Sequence, residues 1–127
     1  MHGGKSMASA LKLRTDYAMN PDKTENGKLI SAFACDAHTA DAEFLLAKRQ
    51  YKQFTGREPR IDVIAYQVRQ SFKPGEITPM MANRIGVQFA DRFLKGKHAY
   101  MSCTHTDLRH VHNHIIFNPT PLHSRVQ

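Results

Sequence analysis

The sequence predicts an α+β fold, with a central antiparallel sheet of about five strands and two helices on one face. Three observations predict it. Alternating or β-branched runs recur along the chain. Two intervening segments carry helix caps and apolar residues at helical spacing. The connections are short and rich in Asn, Pro and Gly, giving the order ββαβαββ.

Residues 1–8 are small, polar and glycine-bearing and read as a flexible lead-in to a single domain over 9–127. Ala10 to Tyr17 alternates loosely and reads as a strand, ended by the turn chemistry of Asn20-Pro21-Asp22. Asn26-Gly27 is a hairpin-type signal, and Lys28 to Ala34 reads as the second strand. Thr39 can cap the first helix, Asp41 and Glu43 suit its first turn, and Gly56 stops it. Phe44, Ala47, Tyr51 and Phe54 would form its buried face. Ile61 to Ser71 reads as a third strand, closed by Lys73-Pro74-Gly75. Thr78 caps a second helix with Pro79 at its first position, and Gly96 closes it. Its apolar face would be Ala82, Ile85, Phe89 and Phe93. Ala99 to Thr104 and Val111 to Phe117 read as the last two strands.

Composition bounds the function. The chain has 127 residues, with 18 Lys+Arg against 11 Asp+Glu, a net charge of +7 that favours a polyanionic partner, nucleic acid foremost. No window resembles a membrane span or a secretory signal, which predicts a cytoplasmic protein without membrane insertion. Two cysteines, Cys35 and Cys103, cannot form a disulfide framework.

Histidines are crowded: six of the eight (His98, His105, His110, His112, His114 and His123) lie in the last 30 residues. Side chains alternate along a strand, so His110, His112 and His114 share a face. If the hairpin turns through Asp107-Leu108, with His105 opposite His110, then His105 joins that face too. Several neutral imidazoles on one face are a metal site in waiting. Residue chemistry alone suits zinc, and because Cys103 shares the parity of His105, a structural Cys-His zinc site is an alternative.

The run HTDLRHVHNHI resembles the third motif of conjugative relaxases of the MobA/MobL type, mobilization proteins within the HUH endonuclease superfamily. Two further stretches are similar to that family's other motifs in the same order: TDYAMNPDKT, Thr15 to Thr24, and QSFKPGEIT, Gln70 to Thr78. The resemblance implies His105, His112 and His114 as ligands of a divalent ion, Mn²⁺ or Mg²⁺. It implies Asp107 and His110 as groups that orient those imidazoles, and Tyr17 as the nucleophile. No tyrosine follows Tyr100, so the nucleophile must lie upstream of the histidine pair, as in relaxases rather than rolling-circle initiators. Arg14, Lys23, Arg69, Ser71, Lys73 and Glu76 lie in or beside these motifs and are the candidate DNA contacts.

The implied activity is nicking of one strand at a transfer origin, in single-stranded or melted DNA. It would leave a 5′-phosphotyrosine link and a free 3′-OH. Relaxosome accessory and coupling proteins are the implied partners. The short tail after Asn118 leaves a second reading open, a C-terminally truncated relaxase that binds metal and single-stranded DNA without efficient cleavage.

Overall fold

The structure is a computed structural model and describes residues 2–6, 8–57 and 63–122. Strand β1 (His2–Ser6) leads into helix α1 (Ala8–Ala18), followed by β2 (Ile30–Phe33) and α2 (Ala40–Thr55). Then come β3 (Ala65–Ser71), α3 (Pro79–Leu94), β4 (Tyr100–His105) and β5 (His112–Phe117). The five strands form one sheet in the order β1-β3-β5-β4-β2, every neighbouring pair antiparallel. The expected α+β class and five-stranded sheet are therefore observed. Ile61 and Asp62, the first residues of the expected third strand, and His123 in the tail lie outside the described residues.

The N-terminal half departs from the sequence reading in two ways. The expected lead-in contains β1, which pairs with β3 from His2 opposite Arg69 to Ser6 opposite Ala65. The expected strand Ala10 to Tyr17 is helix α1. Its apparent alternation rests on Leu11 and Leu13, yet Leu11 is buried and Leu13 is 75% exposed. The buried positions are Leu11, Thr15 and Ala18, a helical spacing, and Ala, Leu, Lys and Arg are all good helix formers. A Lys12–Asp16 pair one turn apart lies on the exposed side. Asn26-Gly27 consequently turns the chain from α1 into β2 and closes no hairpin; Glu25, Asn26 and Gly27 all have positive φ there.

The helices also lie on both faces of the sheet rather than on one. Leu11 and Ala18 of α1 and Ala40 and Phe44 of α2 pack with Met101, Cys103 and Ile116. On the opposite face, Ala90 and Leu94 of α3 pack with Tyr100 and Ile115. Alternation along β4 and β5 assigns one set of residues to each side, so each strand is covered twice.

Both helices start near the expected residues. Thr78 caps α3, its hydroxyl accepting from the Met81 N–H at 3.2 Å. Thr39 stands at the start of α2 without capping it, because its hydroxyl donates to the Glu43 carboxylate at 2.7 Å. Gly56 ends α2 in the left-handed conformation, as expected. Phe54 is 63% exposed, so the last turn of α2 runs past the packed surface. The buried stripe of α3 is Ala82, Gly86, Ala90 and Leu94, rotated from the expected Ile85, Phe89 and Phe93. Small residues allow the closest approach to the sheet. A Cβ placed on Gly86 would sit 2.7 Å from Ser102 Oγ and 2.8 Å from Asn113 Nδ2.

Candidate active site

The central face of β4 and β5 carries the histidines. The strands pair with His105 opposite His112 and Cys103 opposite His114. The expected register placed His105 opposite His110, two residues short of this. A slip of two keeps the parity, so His105, His112 and His114 still share one face. The connection is longer than a tight turn, and His110 falls within it. It is exposed there, and its Nδ1 donates to the Phe72 carbonyl at 3.2 Å.

Neighbouring β3 adds Gln67, Arg69 and Ser71 to this face, opposite Ile116, His114 and His112 respectively. Tyr17 comes from the last turn of α1. Its ring lies edge-on to His105 at 5.5 Å and to His114 at 6.0 Å, and is 54% exposed. The His105 and His114 rings are 4.2 Å apart, and His112 and His114 are 6.2 Å apart. The structure thus brings Tyr17 and the three histidines together across nearly ninety positions of sequence.

Each imidazole has a partner that sequence reasoning did not assign. His105 Nε2 donates to the Ala18 carbonyl at 2.8 Å, which leaves Nδ1 as its free lone pair. An arginine can only donate, so Arg69 Nη2, 3.2 Å from His112 Nε2, binds that nitrogen's lone pair. His112 Nδ1 is then the protonated nitrogen, and it is buried without a partner. The Gln67 amide lies 3.0 Å from His114 Nδ1. The alternation that placed the histidines on one face could have flagged Gln67 and Arg69 as well, had the pairing of β3 with β5 been known.

Asp107 does not hydrogen-bond an imidazole; it pairs with Lys23 at 2.6 Å. Lys23 also lies 5.2 Å over the Tyr17 ring, and its carbonyl accepts from the Thr106 N–H at 2.8 Å. The loop after Tyr17 is thereby tied to the loop after His105. The remaining candidate DNA contacts are spread around this face. Arg14 is exposed on α1, and Ser71 is exposed at the end of β3. The Glu76 carboxylate accepts from the Lys73 N–H at 2.7 Å, so Glu76 builds the turn rather than reaching outward.

Electrostatics favours neutral imidazoles. Burial lowers the pKa of all three histidines, and the positive charge of Arg69 acts in the same direction. Neighbouring imidazolium adds to this at His112 and His114, while the hydrogen bond to the Ala18 carbonyl works against it at His105. His114 is pushed down to about 3. Burial pushes the Cys103 thiol up to about 12, and its side chain packs in the apolar cluster with Leu11 and Phe44. Hydrogen bonding to Asp107 raises the pKa of Lys23, and the same bond lowers that of Asp107.

Neutral, converging nitrogens have the donor chemistry a divalent ion needs. As the rings stand, however, no group of three His, Cys, Asp or Glu side chains among the described residues is arranged to hold one. Arg69 on His112 Nε2 is one physical reason, since it occupies a lone pair that a ligand would use.

The middle residue of the histidine pair has a separate task. Asn113 points to the α3 side, where Thr104 Oγ1 donates to its Oδ1 at 2.6 Å. Its Nδ2 donates to the Ala82 carbonyl at 2.7 Å and to Gln70 Oε1 at 3.0 Å. Asn83 extends this network to Thr104, to the Leu29 carbonyl and to Ser31. The network fixes β5 against β3, β4 and α3, and so fixes His112 and His114 on the other face. Of the other tyrosines, Tyr100 donates to Asp91 at 2.8 Å on the α3 side, and Tyr66 stacks there on Phe117.

The sequence that builds this five-stranded sheet, histidine cluster and helix-borne tyrosine is that of a known family. A family model, "Relaxase: MobA/VirD2-like, nuclease domain", matches residues 17–125, and the chain belongs to that family. Among curated relatives, Protein rlx of Staphylococcus aureus is 38% identical over 92 residues, covering 72% of this chain and 27% of its own length. Group II intron-interrupted relaxase LtrB of Lactococcus lactis subsp. cremoris (strain MG1363) is 30% identical over 131 aligned residues, covering 87% of this chain and 23% of its own. The chain therefore spans about a quarter of the length of these relatives. No solved structure matches it. Among the described residues, no helix is long and apolar enough to cross a membrane.

Proposed function

We propose that this chain carries the nicking chemistry of a relaxase, acting on single-stranded or melted DNA at a transfer origin. The observation that carries the reading is the seating of the Tyr17 ring against His105 and His114. A surface aromatic has no packing reason to be held half-exposed over two buried, neutral imidazoles. A nucleophile for a phosphodiester bound at those imidazoles does.

Tyr17 Oη attacks phosphorus as the P–O3′ bond breaks, leaving a 5′-phosphotyrosine and a 3′-OH. One phosphodiester replaces another, so the bond is conserved and the nick can be resealed. Attack by a phenol at neutral pH on an anionic phosphodiester is aided by proximity and by positive charge nearby. Lys23, held over the ring by Asp107, supplies part of that charge. A divalent ion, Mn²⁺ or Mg²⁺, held by His105, His112 and His114 would offset charge developing on the phosphate. The Ala18 carbonyl, accepting from His105 Nε2, orients one of those rings, part of the work that the sequence reading gave to Asp107 and His110. The structural-zinc alternative draws less support, because a thiol packed among Leu11, Phe44 and Met101 is poorly placed to ionise.

The test is a covalent-adduct assay with Mn²⁺ and oligonucleotides tiling the DNA around the chain's own gene. An EDTA-sensitive adduct on Tyr17, absent from Tyr17→Phe, is the expected result. DNA binding with no adduct would instead favour a binding module without efficient cleavage.

A further inference from the structure

Arg69 is unusual among the cations of this chain. It is half-buried, and its Nε is fully enclosed without a hydrogen-bond partner. Among the described residues its one hydrogen-bond partner is His112 Nε2, and no carboxylate pairs with it. Enclosing a guanidinium against neutral imidazoles costs free energy that only an anion would offset. The anion has a defined place. Tyr17 meets the histidines from the end of α1, over His105 and His114. Arg69 meets them from β3, on the far side of β5 from β4, and touches His112. The nucleophile and the unpaired cation thus reach the same cluster from different elements, Tyr17 over β4 and β5 and Arg69 from the flanking strand β3.

In-line displacement at phosphorus puts the attacking and leaving oxygens on opposite sides of the phosphorus. We propose that Arg69 binds the leaving 3′-oxygen of the scissile phosphodiester and stabilises the charge that develops on it. The inference rests on the nicking reading above. Tyr17 Oη bonds to phosphorus and loses its proton to solvent; the P–O3′ electron pair leaves on the 3′-oxygen. Arg69 donates hydrogen bonds to that oxygen and keeps its own protons, and water supplies the proton of the final 3′-OH. In resealing, the same guanidinium would align the returning 3′-OH.

The experiment compares a normal substrate with one carrying sulfur at the bridging 3′ position. Thiolate leaves readily and needs little stabilisation. Wild type, Arg69→Gln and Arg69→Lys would be assayed for Tyr17 adduct on both substrates, with binding measured in EDTA and folding by thermal melting. For Arg69→Gln the expected loss is about 100-fold or more on the oxygen substrate, the scale of removing one donor from a developing oxyanion. On the sulfur substrate the loss should shrink to within about tenfold, with Arg69→Lys intermediate on oxygen. An equal loss on both substrates would overturn the inference and leave Arg69 as a support for His112. Unchanged rates on both would overturn it as well. A variant that melts early but still shows the oxygen–sulfur difference supports it, because misfolding would slow both substrates alike. No adduct from wild type on either substrate would bring down the nicking reading, and this inference with it.

Discussion

Gly86→Ala is a one-methyl test of how the α3 side of the sheet fixes the histidines. The new Cβ would lie 2.7 Å from Ser102 Oγ, 2.8 Å from Asn113 Nδ2 and 3.1 Å from Asn113 Cγ. Ser102 Oγ has no hydrogen-bond partner among the described residues and can turn away. Asn113 cannot, because Thr104, Ala82 and Gln70 all hold it. Overpacking costs about 1–3 kcal/mol. Displacing Asn113 adds about 1–3 kcal/mol for buried groups left unpaired. Alanine's helix propensity returns about 1 kcal/mol. The net expectation is a loss of about 1–5 kcal/mol, each kcal/mol lowering the melting temperature by several degrees at this chain length. Urea denaturation gives the stability, and Mn²⁺ affinity reports whether His112 and His114 have moved. Gly86→Ala at or above wild-type stability would refute the close approach of α3. A destabilised variant with unaltered metal affinity would refute the transmission to the histidines.

Other outcomes follow from the same geometry. His114 is held near pKa 3 against an ordinary 6.5, so on acidification the unfolded chain takes up the proton first. Stability of the metal-free protein is then complete above about pH 7 and drains as pH falls from 6.5 towards 3; His114 alone accounts for about 2 kcal/mol at pH 5. Urea titrations at pH 8 and pH 5 in EDTA measure this, and His114→Gln should remove most of that share; an undiminished drop would refute the assignment. Asn113→Ala leaves Thr104 and Gln70 without their shared partner and should cost about 2–3 kcal/mol by the same denaturation assay. Tyr17→Phe, a change at a half-exposed ring whose hydroxyl makes no structural bond among the described residues, should abolish the adduct and leave the melting temperature within about 2 °C.

The sites where sequence reasoning held and where it failed have different physical causes. Caps and stops are local, so Thr78, Pro79 and Gly56 marked their helix ends correctly. Strand alternation is also local, and it put His105, His112 and His114 on one face whichever even slip the hairpin took. The family motifs singled out Tyr17 as the expected nucleophile, and its carrier was misread as a strand. Leu11 and Leu13 mimic a strand, and only packing against α2 and β4 shows that Leu11, Thr15 and Ala18 form the buried line.

What the chain determined by itself is the class of fold, the histidine face and the strong positive charge, because each follows from residue spacing or composition. What the tertiary structure alone decided is who stands beside those histidines. Gln67 and Arg69 reach them through the pairing of β3 with β5, and Ala18 and Tyr17 through the docking of α1. These contacts join residues more than forty positions apart. Their register is fixed by burial on both faces of the sheet at once, and no local pattern encodes that.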